Sequence, residues 1–276
     1  ACRLAQAGLE HAPEPRLAAY ARQADDFRAA MALAPPAQAE PFDITHHGAP
    51  HAAWLFRAPT FAAGGPAVLI WGGADGWCEA FHSSVPFYLE RGLSACLLEL
   101  PGQGLARLRH GSVLRPDFTE MVSAAIDALH ARGAGRERIG VLGHSAGGSL
   151  ALAAAAADER IRACCSNGGS VNLAQGLEKY PRVAQRFGRM LGAEAAAPAF
   201  FAGVDLPRAA RSMRAALLCV HGGQDPLVSD DDARELIALR GANATLEYWP
   251  EGTHCVYNHA IERNCVIADW FARQLA

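Results

Sequence analysis

The segment RIGVLGHSAGGSLALAAAAA, residues 138–157, decides how the rest of the chain is read. RIGVL is an apolar run of strand length, SLALAAAAA is rich in strong helix formers, and Gly143-His144-Ser145-Ala146-Gly147 joins the two. The join fits G-x-S-x-G, in which a serine sits on a sharp strand-to-helix turn. Such a turn strains the backbone, so the residues two before and two after the serine must lack side chains that would collide. Gly143 and Gly147 meet that need. The pattern predicts Ser145 as a nucleophile at the top of a sheet. It predicts His144 as a packing neighbour, because adjacent residues on such a turn point apart.

A serine hydroxyl needs a base within hydrogen-bond reach, and the base needs a carboxylate to orient it. On this kind of turn the partners follow in the order serine, acid, histidine. Downstream, the apolar run AALLCVH (215–221) ends in Gly222-Gly223-Gln224-Asp225-Pro226, and TLEYWP (245–250) ends in Glu251-Gly252-Thr253-His254. Both loops fall at carboxyl ends of strands, where open α/β sheets build their sites. Asp225 is therefore the expected acid and His254 the expected base. Asp230, Asp231 and Asp232 read as the solvated start of a helix, and His259 as a structural residue within the last one. A tetrahedral intermediate also needs two backbone donors. Ala146 supplies one, and Trp71-Gly72-Gly73-Ala74-Asp75-Gly76 supplies the other through Gly73 or Ala74. No Gly-Lys-[Ser/Thr] follows these glycines, which disfavours a nucleotide loop.

Outward from this centre the chain alternates strand and helix. Strands are expected at 67–71, 94–100, 138–143, 161–167, 215–221 and 245–250, with helices at 80–91, 117–131, 146–157, 229–240 and 256–275. Strands joined by helices imply right-handed crossovers and a mostly parallel sheet with helices on both faces. Two earlier strands around Gly48-Ala49-Pro50 form an edge hairpin. Residues 1–39 form a short helical segment, with Leu17, Tyr20, Ala24, Phe27 and Met31 at helical spacing before Pro35-Pro36. Residues 170–214 carry helical patterning but no strand and are expected to be a cap inserted after the sixth strand, dividing the core into 40–169 and 215–276.

The 276 residues are 51% hydrophobic, enough for a sizeable core, and the net charge of −3 offers no footprint for nucleic acid. No apolar run reaches the ~20 residues of a membrane span. The segment after Ala1 carries charge where a signal peptide would be apolar, so secretion has no support here. The eight cysteines form no CxxC pair and lie partly in apolar runs, pointing to a reducing, cytoplasmic setting. No residue cluster calls for a metal or organic cofactor. The expected partner is a small carbonyl substrate, with no nucleic acid and no membrane, and with a homodimer left open.

GGADGW, GHSAGG, HGGQDPLV and EGTHCV, in that order, resemble the α/β-hydrolase superfamily over residues 40–276. Within it the chain is similar to the subgroup of 2,6-dihydropseudooxynicotine hydrolase and the fungal heptaketide hydrolase of melanin synthesis. It shares an N-terminal helical segment, the Gly72-Gly73-Ala74-Asp75 loop and the helical cap. The resemblance implies a serine hydrolase with Ser145, Asp225 and His254 as triad, acting on an ester or on a carbon–carbon bond beside a ketone. The N-terminal segment is shorter than in those relatives, and the residues after Asp75 differ, which bears on the substrate. Trp77, Phe81, Tyr180, Phe187, Phe200 and Phe201 are the aromatic residues expected near it. The competing readings are a non-catalytic binding module on the same fold, which would need none of the three triad residues, and an aminopeptidase-like hydrolase.

Overall fold

The computed structural model describes residues 12–33, 39–59, 61–74 and 76–276. Eight strands form one sheet: β1 Ala39–His46, β2 Ala49–Phe56, β3 Ala67–Trp71, β4 Ser94–Leu98, β5 Ile139–His144, β6 Ile161–Asn167, β7 Ala216–Gly222 and β8 Ala244–Trp249. Their order is β1-β2-β4-β3-β5-β6-β7-β8. β2 runs antiparallel to both of its neighbours, and every pair from β4 onward is parallel. The central strands are buried on both faces, which is why AVLIW and SACLL read as continuous apolar runs.

Strand period 2 sorts the side chains into two cores. Ala67, Leu69 and Trp71 of β3 pack on one face with helix α4 (Phe118–Ala131) and helix α5 (Ala146–Ala157). Val68 and Ile70 pack on the other with α2 (Val85–Leu89) and the terminal helix α11 (Ala260–Gln274). α5 is buried almost all round, and its small alanines let it lie close against β5 and β6. The N-terminal helix α1 (Pro13–Ala32) sits on the second face, Phe27 against Trp54 at 5.0 Å and Tyr20 edge-on to Trp77 at 5.1 Å. Residues 1–11 and 34–38 of the expected N-terminal segment lie outside the described residues.

Four helices fill the interval between β6 and β7: α6 Leu173–Lys179, α7 Pro181–Leu191, α8 Ala197–Gly203 and α9 Leu206–Ser212. α10 (Asp230–Arg240) then joins β7 to β8. Two expectations need correcting, and one helix goes beyond them. The helix expected over 80–91 is a 3₁₀ turn, Cys78–Ser84, followed by the short α2, and Pro86 stands in the first turn of α2. A helix that the pattern did not reveal, α3 (Gly104–His110), follows the Pro101-Gly102 turn. The terminal helix starts at Ala260, because Cys255 and Val256 are left-handed (φ 54° and 52°) and keep 254–259 as a separate 3₁₀ turn. No helix of the described residues is long and apolar enough to cross a membrane.

Candidate active site

β5 ends at His144, and the next residue turns the chain. Ser145 has φ 58° and ψ −132°, a conformation that L-residues rarely adopt and that persists only where the surroundings enforce it. The enforcement is visible. Ser145 N donates to Asn167 O at 2.8 Å, and Gly148 N donates to Ser145 O at 2.7 Å. A Cβ on Gly143 would lie 1.9 Å from Gly147 O, and one on Gly147 would lie 2.3 Å from Gly72 O, so neither position admits a side chain. Trp71 locks the same turn from below through its indole N–H, 2.9 Å from Gly147 O.

His254 and Asp225 arrive from the carboxyl ends of β8 and β7. The His254 Nδ1–H donates to Asp225 Oδ2 at 2.8 Å, which leaves the Nε2 lone pair facing the Ser145 hydroxyl, also at 2.8 Å. The Asp225 side chain is fully buried, and its other oxygen accepts the Leu227 and Val228 N–H groups at 2.8 and 3.1 Å. These bonds fix the carboxylate in the plane His254 requires. Burial of the imidazole disfavours its charged form, but the hydrogen bond and charge of the Asp225 carboxylate oppose that, and the His254 pKa is raised above the usual value. His144 is different: burial, then Arg263 and His254, drive its pKa well down, so it stays neutral. It stacks on Phe81 at 4.6 Å and pairs through Nδ1 with Asn167 Nδ2 at 2.9 Å.

The loop after β3 abuts Ser145. A Cβ on Gly73 would come within 2.8 Å of Ser145 Cβ and 3.2 Å of Ala146 N, so the backbone at Gly73 and the first N–H groups of α5 border one small space. Gln103, just ahead of α3 and 2% exposed, holds this loop. Its Nε2 donates to Gly72 O at 2.8 Å and Gly73 O at 2.9 Å, while its Oε1 accepts Leu100 N–H at 2.9 Å. Asp75 lies outside the described residues.

Two cavities meet at Ser145 and His254. The larger, about 300 Å³, runs under α6 and α7 and is walled by Ser149, Asn172, Gln175, Lys179, Tyr180 and Asp232 among others. The smaller, about 160 Å³, is bounded by Gly73, Ala74, Trp77, Phe81, Arg186 and Tyr257. Ala146 thus borders one cavity and Gly73 and Ala74 the other. Of the aromatic residues expected near the substrate, Trp77 and Phe81 line the smaller cavity and Tyr180 the larger. Phe187, Phe200 and Phe201 do not: Phe187 and Phe200 are buried, and the three rings pack on one another at 5.2–5.8 Å as the core of the insertion. Asp232 also departs from the solvated role expected of it. It forms a capping box with Ser229, accepts Ser170 Oγ–H at 2.7 Å, and so ties α10 to the start of the insertion at the cavity wall.

Residues 105–276, which carry the serine, the acid and the histidine, match the model of the prolyl oligopeptidase family. The chain belongs to that family. Its fold is that of the α/β-hydrolases, and the protein is a hydrolase. It is 29% identical over 264 residues to 2,6-dihydropseudooxynicotine hydrolase of Paenarthrobacter nicotinovorans, covering 93% of this chain and 70% of that protein. Hydrolase acrC of Aspergillus aculeatus is 37% identical over 107 residues, which are 37% of this chain and 25% of the fungal protein. A crystal structure of 2,6-dihydroxy-pseudo-oxynicotine hydrolase superposes with a TM-score of 0.83 at 24% identity, over 95% of this chain and 75% of that one. The family member described here holds two polar groups that sequence patterning did not single out, Gln103 and Asn167. Gln103 and Asn167 lie at carboxyl ends of strands, the same signal that located Asp225 and His254.

Proposed function

We propose that the chain is a serine hydrolase of small or medium carbonyl substrates, with Ser145 as nucleophile, His254 as general base and Asp225 as its orienting carboxylate. The observation that carries this reading is the unbroken Asp225–His254–Ser145 hydrogen-bond chain, 2.8 Å at each link, at the junction of two cavities. Ser145 Oγ attacks the carbonyl carbon while His254 Nε2 takes its proton. The oxyanion is held by the N–H of Ala146 and that of Gly73 or Ala74. His254 returns the proton to the leaving group, and water, activated by the same imidazole, releases the acyl group from Ser145. The two cavities take the two halves of the substrate on either side of the scissile bond.

One observation favours a second substrate class within this chemistry. Lys179, Tyr180, Asn172 and Gln175 put hydrogen-bond donors on the wall of the larger cavity, under the insertion. A donor there could hold a second carbonyl and the enolate left when a carbon–carbon bond beside a ketone is cleaved. A non-catalytic binding module on this fold needs no such relay. The decisive experiment is labelling with a fluorophosphonate probe and locating the adduct by mass spectrometry. Modification at Ser145, lost in Ser145→Ala, supports the reading; an unmodified protein overturns it.

A further inference from the structure

The hairpin turn at the β1 edge of the sheet carries a second cluster of reactive groups. His46 ends β1, and His47 and Gly48 form the turn with φ 48° and 76°, the paired positive angles of a tight two-residue hairpin. Neighbouring side chains in a strand point to opposite faces. The left-handed backbone at His47 instead swings its ring back beside that of His46, with centroids 4.2 Å apart. Both imidazoles then face Asp117: His47 Nε2 is 2.8 Å from Oδ2 and His46 Nε2 is 3.8 Å from Oδ1.

Two features of this arrangement lack a purely structural explanation. Asp117 stands at the N-cap of α4, where an aspartate ordinarily accepts an N–H of the first helical turn, yet its side chain makes no capping bond and turns to the histidines. In addition, His46 Nε2 and Asp117 Oδ1 are both buried without a hydrogen-bond partner, and the His46 side chain is only 10% exposed. The two atoms face each other at 3.8 Å, too far for a hydrogen bond, and burying them so is costly unless something binds between them.

We propose that His46, His47 and Asp117 form a binding site for a divalent transition-metal cation of the zinc type. One donor atom from each lies within 4.8 Å of the others. Tetrahedral zinc, with bonds of about 2.0–2.2 Å, holds its ligand atoms about 3.3 Å apart. The two imidazoles lie 2.8 and 3.8 Å from the two Asp117 oxygens, on either side of that spacing, so side-chain rotation within the 4.8 Å cluster brings the donors to ligating distance. Two imidazoles and a carboxylate are a ligand set that suits zinc. Glu120, exposed in the first turn of the same helix, adds negative charge nearby. The cation would tie the hairpin to the start of α4. β2, β4 and β3 lie between β1 and β5 in the sheet, and none of the three ligands lines either cavity, so hydrolysis does not depend on it.

The test uses the full chain without an affinity tag, stripped by chelator and titrated with ZnCl₂ by calorimetry and thermal unfolding. We expect one equivalent bound and a Tm that rises with zinc concentration, since a cation held by the folded chain stabilises it by mass action. Asp117→Asn loses no capping bond, and His47→Asn keeps a residue that tolerates the left-handed turn. Each should weaken zinc binding at least tenfold and remove the Tm rise, with ester hydrolysis unchanged. Co²⁺ in the wild-type protein reads the ligand set without any substitution and should give a nitrogen and oxygen spectrum with no thiolate charge-transfer band. A wild-type Tm insensitive to zinc, a rise that both variants retain, or a thiolate band from the free cysteines would overturn the proposal.

Discussion

Asn167 and Cys255 are tied to each other twice: the Cys255 thiol donates to Asn167 O at 3.4 Å, and Asn167 Nδ2 donates to Cys255 O at 3.2 Å. Asn167 O is also the acceptor for Ser145 N, and Arg263 adds a second donor to Cys255 O at 2.8 Å. The end of β6 thereby couples the turn that holds Ser145 to the left-handed residues that follow His254. Those residues include Val256, a β-branched side chain at φ 52°, which is a strained position. Asn167→Ala keeps the backbone acceptor but removes the Nδ2 bonds to Cys255 O and His144 Nδ1, and should loosen the placement of Ser145 relative to His254. We expect kcat to fall by about 10–100-fold with a smaller change in KM, because a misplacement of about 1 Å at reacting groups costs on this scale. Steady-state kinetics of the folded variant checks it. Equal changes in kcat and KM would make Asn167 a structural residue only.

Ser145 can be separated from stability in a way few residues allow. Its φ of 58° and ψ of −132° favour glycine, so Ser145→Gly removes the hydroxyl and relieves the backbone together. Hydrolysis should drop by about 10⁴–10⁶, as for loss of a triad nucleophile. Thermal unfolding should show a Tm no lower than that of the wild type. Retention of more than about a tenth of the turnover would assign the nucleophile elsewhere.

The pH dependence follows from the raised pKa of His254. Ser145 needs the neutral imidazole, so the rate rises with pH through the folded-state pKa, and the acidic limb of kcat/KM should lie above about 6.5, the unperturbed value. Stability runs the other way. A folded pKa above the unfolded one means that the imidazolium stabilises the fold below about pH 6.5, a contribution lost as pH rises through the folded value. His254→Ala should flatten that part of the stability profile. An acidic limb below pH 6 would contradict the environment seen around the ring.

These assignments divide by how local their cause is. Gly143, Ser145 and Gly147 declare themselves because the steric demand of the turn is met within five residues, and Asp225 and His254 because each follows a strand in the chain order such sites use. The sheet was legible for the same reason: apolar runs bounded by glycine and proline. Asn167 carries the same local mark, the end of a strand, but its role depends on a loop 88 residues away. Phe187 and Phe201 mislead for a related reason. On an amphipathic helix the apolar side meets the insertion's own core before it meets a ligand, so aromatic content does not locate a cavity wall. At 254–259 the sequence HCVYNH holds no strong helix former, and the tether on Cys255 keeps it a turn separate from the terminal helix.

Gln103 offers a test of the loop that borders Ser145. Its one side-chain amide spans Gly72 O and Gly73 O, so Gln103→Glu keeps the shape but replaces a shared donor by an acceptor facing two carbonyls. The loop should shift and its N–H groups lose their aim. An oxyanion donor is worth about 10²–10³ in kcat, and a displaced one should cost at least about tenfold, with KM little changed. Affinity for a boronic acid, which forms a tetrahedral adduct on the serine, should fall in parallel. A variant with normal kcat would leave Gln103 as a packing residue.

The choice between ester and carbon–carbon cleavage rests on the leaving group. An ester expels an alkoxide, which water or His254 can protonate in an open site. Carbon–carbon cleavage expels a carbanion that must be held as an enolate on a second carbonyl and then protonated, which requires a donor opposite Ser145 and exclusion of bulk water. The larger cavity supplies donors from α6 and its flanks, Lys179 and Tyr180 among them. Replacing Lys179 by Met and Tyr180 by Phe removes two of them while keeping the cavity's apolar bulk. If the enzyme uses that wall for an enolate, an aromatic 1,3-diketone should turn over with kcat/KM at least comparable to a matched p-nitrophenyl ester. The double variant should then lose about tenfold or more on the diketone, the scale of one lost charge-stabilising contact, and much less on the ester. Turnover of esters alone, with diketones neither cleaved nor inhibitory, would leave simple ester hydrolysis as the activity of the site.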